Sequence, residues 1–296
     1  MKLDFIDLPS FAKVNLSLRV LGKREDGFHE VFTALQTVSL HDTLRFESSS
    51  NRIVLRCDDP EIPVDERNIV VRAAEKLRSR FGVDAGVTIH LEKRIPSPGG
   101  LGGGSSNAAV TLLALNRLWE IDVSRSELGA IAAELGADVP FFLYGGTAVG
   151  TGTGSTIEPV DDESFPWMLV VTPRVDVSTA AAYSMLSVPT LTKLEAESTL
   201  TNYRSRLSGV FEPVNDLEKT VFTAFPEIER VKNTLIELGA KTALMSGSGA
   251  SVFGVFDNEE TRQTAFEALG EKTNWRSFAV AAISRSDYRE ALNKVF

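Results

Sequence analysis

Residues 96–107 read Pro-Ser-Pro-Gly-Gly-Leu-Gly-Gly-Gly-Ser-Ser-Asn, with five glycines in the six positions 99–104. Glycine alone reaches positive φ without steric cost, so several successive backbone N–H groups can crowd around one bulky anion. Val87–Leu91 before this stretch alternates like a strand. Ser105–Trp119 after it sets Val110, Leu113, Ala114 and Leu118 at helical spacing. Strand, glycine loop and helix N-terminus together predict an anion cradle, because unpaired amides and the helix dipole point at the loop. A polyphosphate is the ligand class that suits it. The loop is no Walker A sequence, since Gly104 runs straight into Ser105 with no lysine. Nor is it a dinucleotide fingerprint, whose last glycine would fall on Ser105 or Asn107. A flexible linker shares the composition but is not normally held between an apolar strand and a capped helix.

A cradle without its own lysine needs a cation from elsewhere. In Phe11-Ala-Lys-Val-Asn-Leu-Ser-Leu18 the apolar residues Ala12, Val14, Leu16 and Leu18 alternate with Lys13 and Asn15, which share the other face. That face either presents a cation and an amide to a cleft or is a solvated strand surface. Asp138, in Gly136-Ala-Asp-Val-Pro-Phe-Phe142, sits among apolar neighbours after a helix end. It reads either as a partly desolvated base for an alcohol proton or as a turn aspartate before Pro140. Asp26-Gly-Phe-His-Glu30 offers Phe28 as a stacking surface for a planar base with His29 beside it, or Phe28 as a staple of the turn to the core. Ser246-Gly-Ser-Gly-Ala-Ser251 is either a tight strand connection or a second wall of amides near the phosphate.

These groups need a scaffold. Strands are expected at Ala12–Val20, Val31–Val38, Thr43–Glu47 and Ile53–Arg56, and a helix from Asn68 to Phe81 closed by Gly82. Ser124-Arg-Ser-Glu127 is a capping box that opens a further helix ending at Gly136. A strand with glycine turns, Gly145–Val160, completes the first half. Beyond the acidic loop Asp161–Pro166 come a strand at Trp167–Thr172 and helices at Ala180–Leu186, Asp216–Phe225 and Ile228–Leu238. Strands at Thr242–Met245 and Ser251–Phe256, a helix at Glu259–Leu269 and a strand at Ser277–Ile283 follow. Residues 186–212 show no readable pattern. Strands and helices mix without strict βαβ alternation, so the fold class is α+β, with expected domains 1–163 and 164–296.

Bulk properties narrow the function classes. Of the 296 residues, 43% are hydrophobic and 24% charged, as in a globular enzyme. The net charge of −9, from 31 basic and 40 acidic residues, argues against nucleic-acid or anionic-membrane partners. The single cysteine, Cys57, excludes an intrachain disulfide, and the three histidines lie far apart with no metal-ligand spacing. No apolar run approaches a membrane span, and Lys2, Asp4 and Asp7 break any signal-peptide pattern. The lead before the lysine strand is also too short for a transit peptide, so a cytoplasmic location is expected. Oligomeric state is not legible.

Taken together, these segments resemble the superfamily of galactokinase, homoserine kinase, mevalonate kinase and phosphomevalonate kinase. The resemblance rests on Phe11-Ala-Lys-Val-Asn15, Pro96–Ala109 and Met245–Phe253, in the right order over nearly the whole chain. Asp26–His29, Leu101–Ala109, Gly136–Phe142 and Asn215-Asp-Leu217 narrow it to the branch acting on a cytidine-diphosphate-linked methylerythritol in non-mevalonate isoprenoid synthesis. Phe11 stands where the family usually has proline. Pro98 replaces a loop glycine, which stiffens the entrance and removes one N–H donor.

The resemblance implies a two-domain small-molecule kinase fold with the active site in the cleft between the domains. It implies ATP as phosphoryl donor, Mg2+, and a small-molecule cytidine diphosphate acceptor phosphorylated on its tertiary 2-hydroxyl. The nucleotide would lie against Pro96, Ser97, Pro98, Gly99, Gly100, Leu101, Gly102, Gly103, Gly104, Ser105 and Ser106. Asp138 would orient or deprotonate the hydroxyl and Lys13 would polarise it. Asn15, Phe28 and His29 would hold the acceptor. The magnesium ligands stay open between Ser105, Ser106 and neither. Two rivals are a kinase of another small alcohol and an RNA- or nucleotide-binding module, the latter opposed by the deficit of basic residues.

Overall fold

The computed structural model describes residues 5–204, 212–272, 275–293 and 295–296. A long antiparallel hairpin, β1 (Phe5–Arg24) with β2 (His29–Ser49), is the spine of the first half. One end of β2 pairs with β4 (Gly86–Glu92), which carries β3 (Ile53–Cys57) parallel to it. The other end pairs with β5 (Thr147–Gly152), which carries β6 (Thr156–Pro159). The expected single strand over 145–160 is thus two strands. The expected pair over 31–47 is one, because the polar residues between them do not form a turn. Ser39 and Asp42 bond to Ala281 and to Lys93–Ile95 instead.

Three helices cover one face of this sheet. α1 (Ile69–Phe81) opens on the Asn68 side chain, which accepts from Val70 N, and ends at Gly82 with φ 61°. α2 (Gly103–Leu118) is almost wholly buried, and α3 (Arg125–Leu135) opens on the expected capping box between Ser124 and Glu127. A 3₁₀ turn, Val139–Leu143, follows. The core between these elements and the sheet includes Leu35, Leu44, Phe46, Leu77, Ile89, Leu112, Phe141 and Phe142.

The second half opens with β7 (Met168–Thr172), α4 (Thr179–Ser184), β8 (Thr190–Leu191), α5 (Lys193–Arg204), α6 (Glu218–Ala224) and α7 (Pro226–Glu237). It closes with β9 (Thr242–Met245), β10 (Val252–Val255), α8 (Glu259–Lys272), β11 (Arg276–Val280) and α9 (Arg285–Ala291). The unread stretch 186–212 therefore contains β8 and α5, and its residues 205–211 lie outside the described ones. β11-β7-β10-β9 form an antiparallel four-stranded sheet. β7 is apolar on both faces: Met168 and Val170 meet Ala12, Val14, Ala34 and Val38 of the hairpin, while Leu169 and Val171 meet Val221, Ile228 and Val231 of α6 and α7. No helix among the described residues is long and apolar enough to cross a membrane.

The second half also reaches back into the first. β8 pairs in parallel with β1 at Lys23 and Arg24, and α9 packs against the first core. There the fully buried Tyr288 donates its hydroxyl to the Phe142 carbonyl at 2.5 Å. Tyr288→Phe removes the donor and strands a buried carbonyl, so a loss of about 1–2 kcal/mol is expected. Thermal unfolding of the purified variant should show a midpoint a few degrees lower, and an unchanged midpoint would refute the bracing role.

Candidate active site

Lys13 reaches the helix-covered face beside an irregularity in the β1–β2 pairing, where Phe11 faces His41 and Ala12 faces Val38. Before it, Ile6 and Leu8 pack into the helical core and Ser10 bonds to α2. Alternation then breaks between Ser10 and Phe11, which also packs into the helical core, next to the register shift at Phe11/Ala12, and Ala12 and Val14 meet the second sheet. Strict alternation from Ile6 would have sent Lys13 to the seam between the sheets. Instead its side chain, 3% exposed, lies beside the start of α2 and donates to Asn15 Oδ1 at 2.6 Å. Asn15 Nδ2 in turn donates to Thr33 Oγ1 at 2.8 Å, which fixes the amide with its oxygen toward the ammonium. The solvated-strand alternative is excluded by this burial.

The glycine loop docks directly on this strand. Lys13 N donates to Leu101 O at 2.9 Å. α2 begins at Gly103, two residues earlier than its apolar pattern indicates, after Gly102 at φ 70°. No side chain caps it, so the first-turn amides are left for a ligand. A Cβ on Gly102 would come within 2.9 Å of the Phe142 ring and 3.0 Å of Lys13 Cγ, which explains glycine there beyond its φ. Within the predicted cradle Pro96 and Leu101 are buried props, Ser97 and Pro98 stand at the exposed entrance, and Ser105 is half-buried. Ser106 is fully buried and its hydroxyl accepts from Ser10 at 2.7 Å.

Asp138 follows α3 and heads the 3₁₀ turn, yet its side chain makes no cap. Its Oδ2 stands 3.4 Å from Lys13 Nζ, and the side chain is 36% exposed. This is more open than its apolar neighbours suggest, because Val139, Phe141 and Phe142 turn into the core and leave the carboxylate at the surface of the cleft. The third motif joins β9 to β10 and also seals onto the cradle. Ser246 Oγ donates to Gly100 O at 2.9 Å and Ser251 N to Gly99 O at 3.2 Å. A Cβ on Gly247 would lie 3.4 Å from both Lys13 Nζ and Asn15 Oδ1. Asn215 holds this loop by donating to Met245 O and Gly247 O, each at 2.8 Å.

Phe28 and His29 sit at the hairpin tip. Asp26 Oδ1 accepts from Phe28 N at 3.1 Å, and Arg24 N donates to Phe28 O at 2.7 Å, so the turn is braced from within. Phe28 is 64% exposed and staples nothing. The His29 ring lies 5.1 Å from that of Tyr183 on α4. Burial, then the charge of Lys23, pull the His29 pKa below its ordinary value. Burial, reinforced by the Asp138 carboxylate, raises that of Tyr183 and keeps its phenol protonated. Tyr183 thus brings α4 of the second half against the aromatic tip of the hairpin.

Sequence reasoning passed over Tyr183, since α4 is short and no local pattern ties it to residues 150 positions away. It also passed over Asp42, which is fully buried beneath the cradle. Asp42 accepts from Lys93 Nζ at 2.5 Å, Arg94 N at 2.7 Å, Ile95 N at 2.8 Å and Asn107 Nδ2 at 3.0 Å. No three His, Cys, Asp or Glu side chains among the described residues group to hold a metal ion.

An anion cradle with a buried lysine and an open carboxylate at its mouth suits phosphoryl transfer to an alcohol. Comparison with known proteins points the same way. Residues 68–146 match the family model of the GHMP kinases N terminal domain, and residues 202–274 that of GHMP kinases C terminal. The 4-diphosphocytidyl-2-C-methyl-D-erythritol kinase of Syntrophus aciditrophicus is 45% identical over 272 residues, 92% of this chain and 97% of that one. The enzyme of the same name from Syntrophotalea carbinolica is 40% identical, with the same coverage of both chains. A crystal structure of 4-(cytidine 5'-diphospho)-2C-methyl-D-erythritol kinase superposes with a TM-score of 0.75 at 36% identity, covering 94% of this chain and 99% of that one. Homoserine kinase from Cytophaga hutchinsonii shares the fold at 20% identity, with a TM-score of 0.73 and 96% of each chain covered. Relatives this similar over nearly their full length, on the same two-part kinase architecture, make the chain a member of the 4-diphosphocytidyl-2-C-methyl-D-erythritol kinase family of GHMP kinases.

Proposed function

We propose that the chain transfers the γ-phosphoryl group of ATP to the 2-hydroxyl of 4-diphosphocytidyl-2-C-methyl-D-erythritol, as a cytoplasmic enzyme of non-mevalonate isoprenoid synthesis. The observation that carries this reading is the meeting of Lys13, Asp138 and the uncapped start of α2 at one place. The cleft lies between the proposed domains, 1–163 and 164–296. The triphosphate lies along Gly99–Ser105, where main-chain amides and the dipole of α2 supply positive potential that the net acidic chain lacks. Asp138 accepts a hydrogen bond from the acceptor hydroxyl, orients it for in-line attack and takes its proton. Lys13, held by Asn15, neutralises charge gathering between nucleophile and phosphoryl group. Phe28 stacks on the cytosine, with His29 and Tyr183 beside it.

The donors fit a magnesium ion that arrives on the nucleotide, since Mg2+ commonly takes phosphate and water oxygens with one or two protein ligands. Ser105, half-buried in the first turn of α2, is the residue placed to supply a hydroxyl. Ser106 is already committed to Ser10. Bound there, the ion would neutralise the β- and γ-phosphates.

The reading is tested by ATP consumption with the cytidine diphosphate acceptor beside homoserine and mevalonate phosphate. Turnover of either rival in preference to the cytidine compound would overturn it. Asp138→Asn should lower kcat on the order of 10²–10⁴-fold, about 3–5 kcal/mol of barrier. Unaltered turnover by the folded variant would remove Asp138 from the reaction. Phe28→Ala should raise the KM for the acceptor on the order of tenfold while leaving that for ATP in place.

The lowered pKa of His29 has a definite sign. Its neutral form, with one donor and one acceptor nitrogen, persists to lower pH than in an ordinary histidine. Acceptor KM should therefore stay flat through neutral and mildly alkaline pH and rise only below the usual histidine value of about 6.5. His29→Asn should abolish that acid limb, and an acid limb that survives the substitution would assign it elsewhere.

A further inference from the structure

Asp42 takes no part in the reaction just described, and its burial demands an explanation. A carboxylate removed from water is tolerable only when its lone pairs are met by donors. All four donors here belong to the cradle's supports. Lys93 Nζ, Arg94 N and Ile95 N lie on the segment that leads into the loop, and Asn107 Nδ2 lies in the first turns of α2 just beyond it. The same Asn107 amide also reaches Ser10 Oγ at 2.9 Å, and Ser10 donates to Ser106. One carboxylate on β2 thus pins both ends of the glycine-rich span, at Ile95 and at Asn107, while Ser10, three residues before Lys13 on β1, holds Ser106 and the same Asn107. Lys93 Nζ, held by Asp42, lies 3.3 Å from the place a Cβ on Gly103 would occupy, directly behind the first residue of α2.

We infer that Asp42 is a positioning residue for the nucleotide: by holding the two ends of the cradle at fixed separation, it keeps the free amides of α2 aimed at the triphosphate. This rests on the cradle reading given above. A span of glycines gains nothing from its own side chains, so its shape must come from where its ends are fixed, and a preformed site loses less entropy on binding. The acceptor end has separate braces. Asp26 holds the Phe28 turn, and the buried Glu30 holds Arg24 at 2.7 Å and Gly152 N at 3.1 Å. Loosening the Asp42 clamp therefore acts on one substrate and not on the other.

The test is Asp42→Asn, which keeps an oxygen for the two backbone amides but turns an NH₂ group toward Lys93 and Asn107. Apparent KM for ATP should rise tenfold or more, with acceptor KM within about twofold of the parent. Calorimetry with a non-hydrolysable ATP analogue and with CDP should show the same split. Should Asp42→Asn fail to fold, Asn107→Ala keeps the Asp42–Lys93 pair and removes the bonds from α2 to Asp42 and Ser10, leaving Ser10–Ser106 in place. It should show the split at about threefold. Equal weakening of both ligands would mean a merely structural role and overturn the proposal, as would unchanged binding of both. A parent protein that binds CDP but not the ATP analogue would overturn this proposal together with the cradle reading beneath it.

Discussion

The main-chain bond from Lys13 N to Leu101 O, at 2.9 Å, is the contact on which the rest of the site depends. It joins the lysine strand to the glycine loop at the residue whose side chain carries the cation, so ammonium and cradle cannot shift independently. On the other side of the loop Gly100 O accepts from Ser246 Oγ and Gly99 O from Ser251 N. The loop is therefore gripped by both halves of the chain through its carbonyls. Its amides at the start of α2 remain unclaimed by side chains. A peptide whose acceptors face the protein presents its donors elsewhere, which is the polarity an anion site requires.

That arrangement answers an electrostatic difficulty. A chain with net charge −9 repels polyanions at long range, and exposed lysines would be screened by salt. The positive potential is instead built from groups that are fixed and partly dry: the amides at the start of α2 and Lys13 at 3% exposure. The Lys13 ammonium is oriented by a neutral oxygen, Asn15 Oδ1, whereas Lys93 is neutralised by Asp42 and serves to brace the loop. Asp138, at 36% exposure, is the open member of the set.

Most of the secondary structure was legible because local physics decides it. The Asn68 cap, the Gly82 terminator and the Ser124–Glu127 box act within four residues, and α1 and α3 appear where they place them. β2 was misread as two strands because Ser39–Asp42 look like a turn when their partners, from Lys93 to Ala281, are far away in sequence. α2 begins two residues early because glycines carry no apolar signal, although their backbone is helical. α5 and β8 went unread because their polar composition shows no period.

By itself, then, the chain's residue order determined the class of ligand and its chemistry. A run of glycines before a helix admits an anion whatever surrounds it, and the lysine, asparagine and aspartate motifs set which groups could act on an alcohol. Only the tertiary structure decided that those groups meet. The break in alternation between Ser10 and Phe11, beside the register shift with β2, puts Lys13 on the side of α2, a choice that strict alternation would have reversed. Tyr183 reaches His29, and Asp42 reaches Asn107, across separations that no local pattern encodes. Backbone preferences act over a few residues, whereas burying a charge or closing a cleft depends on every segment that packs around it, and that sum exists only in the folded chain.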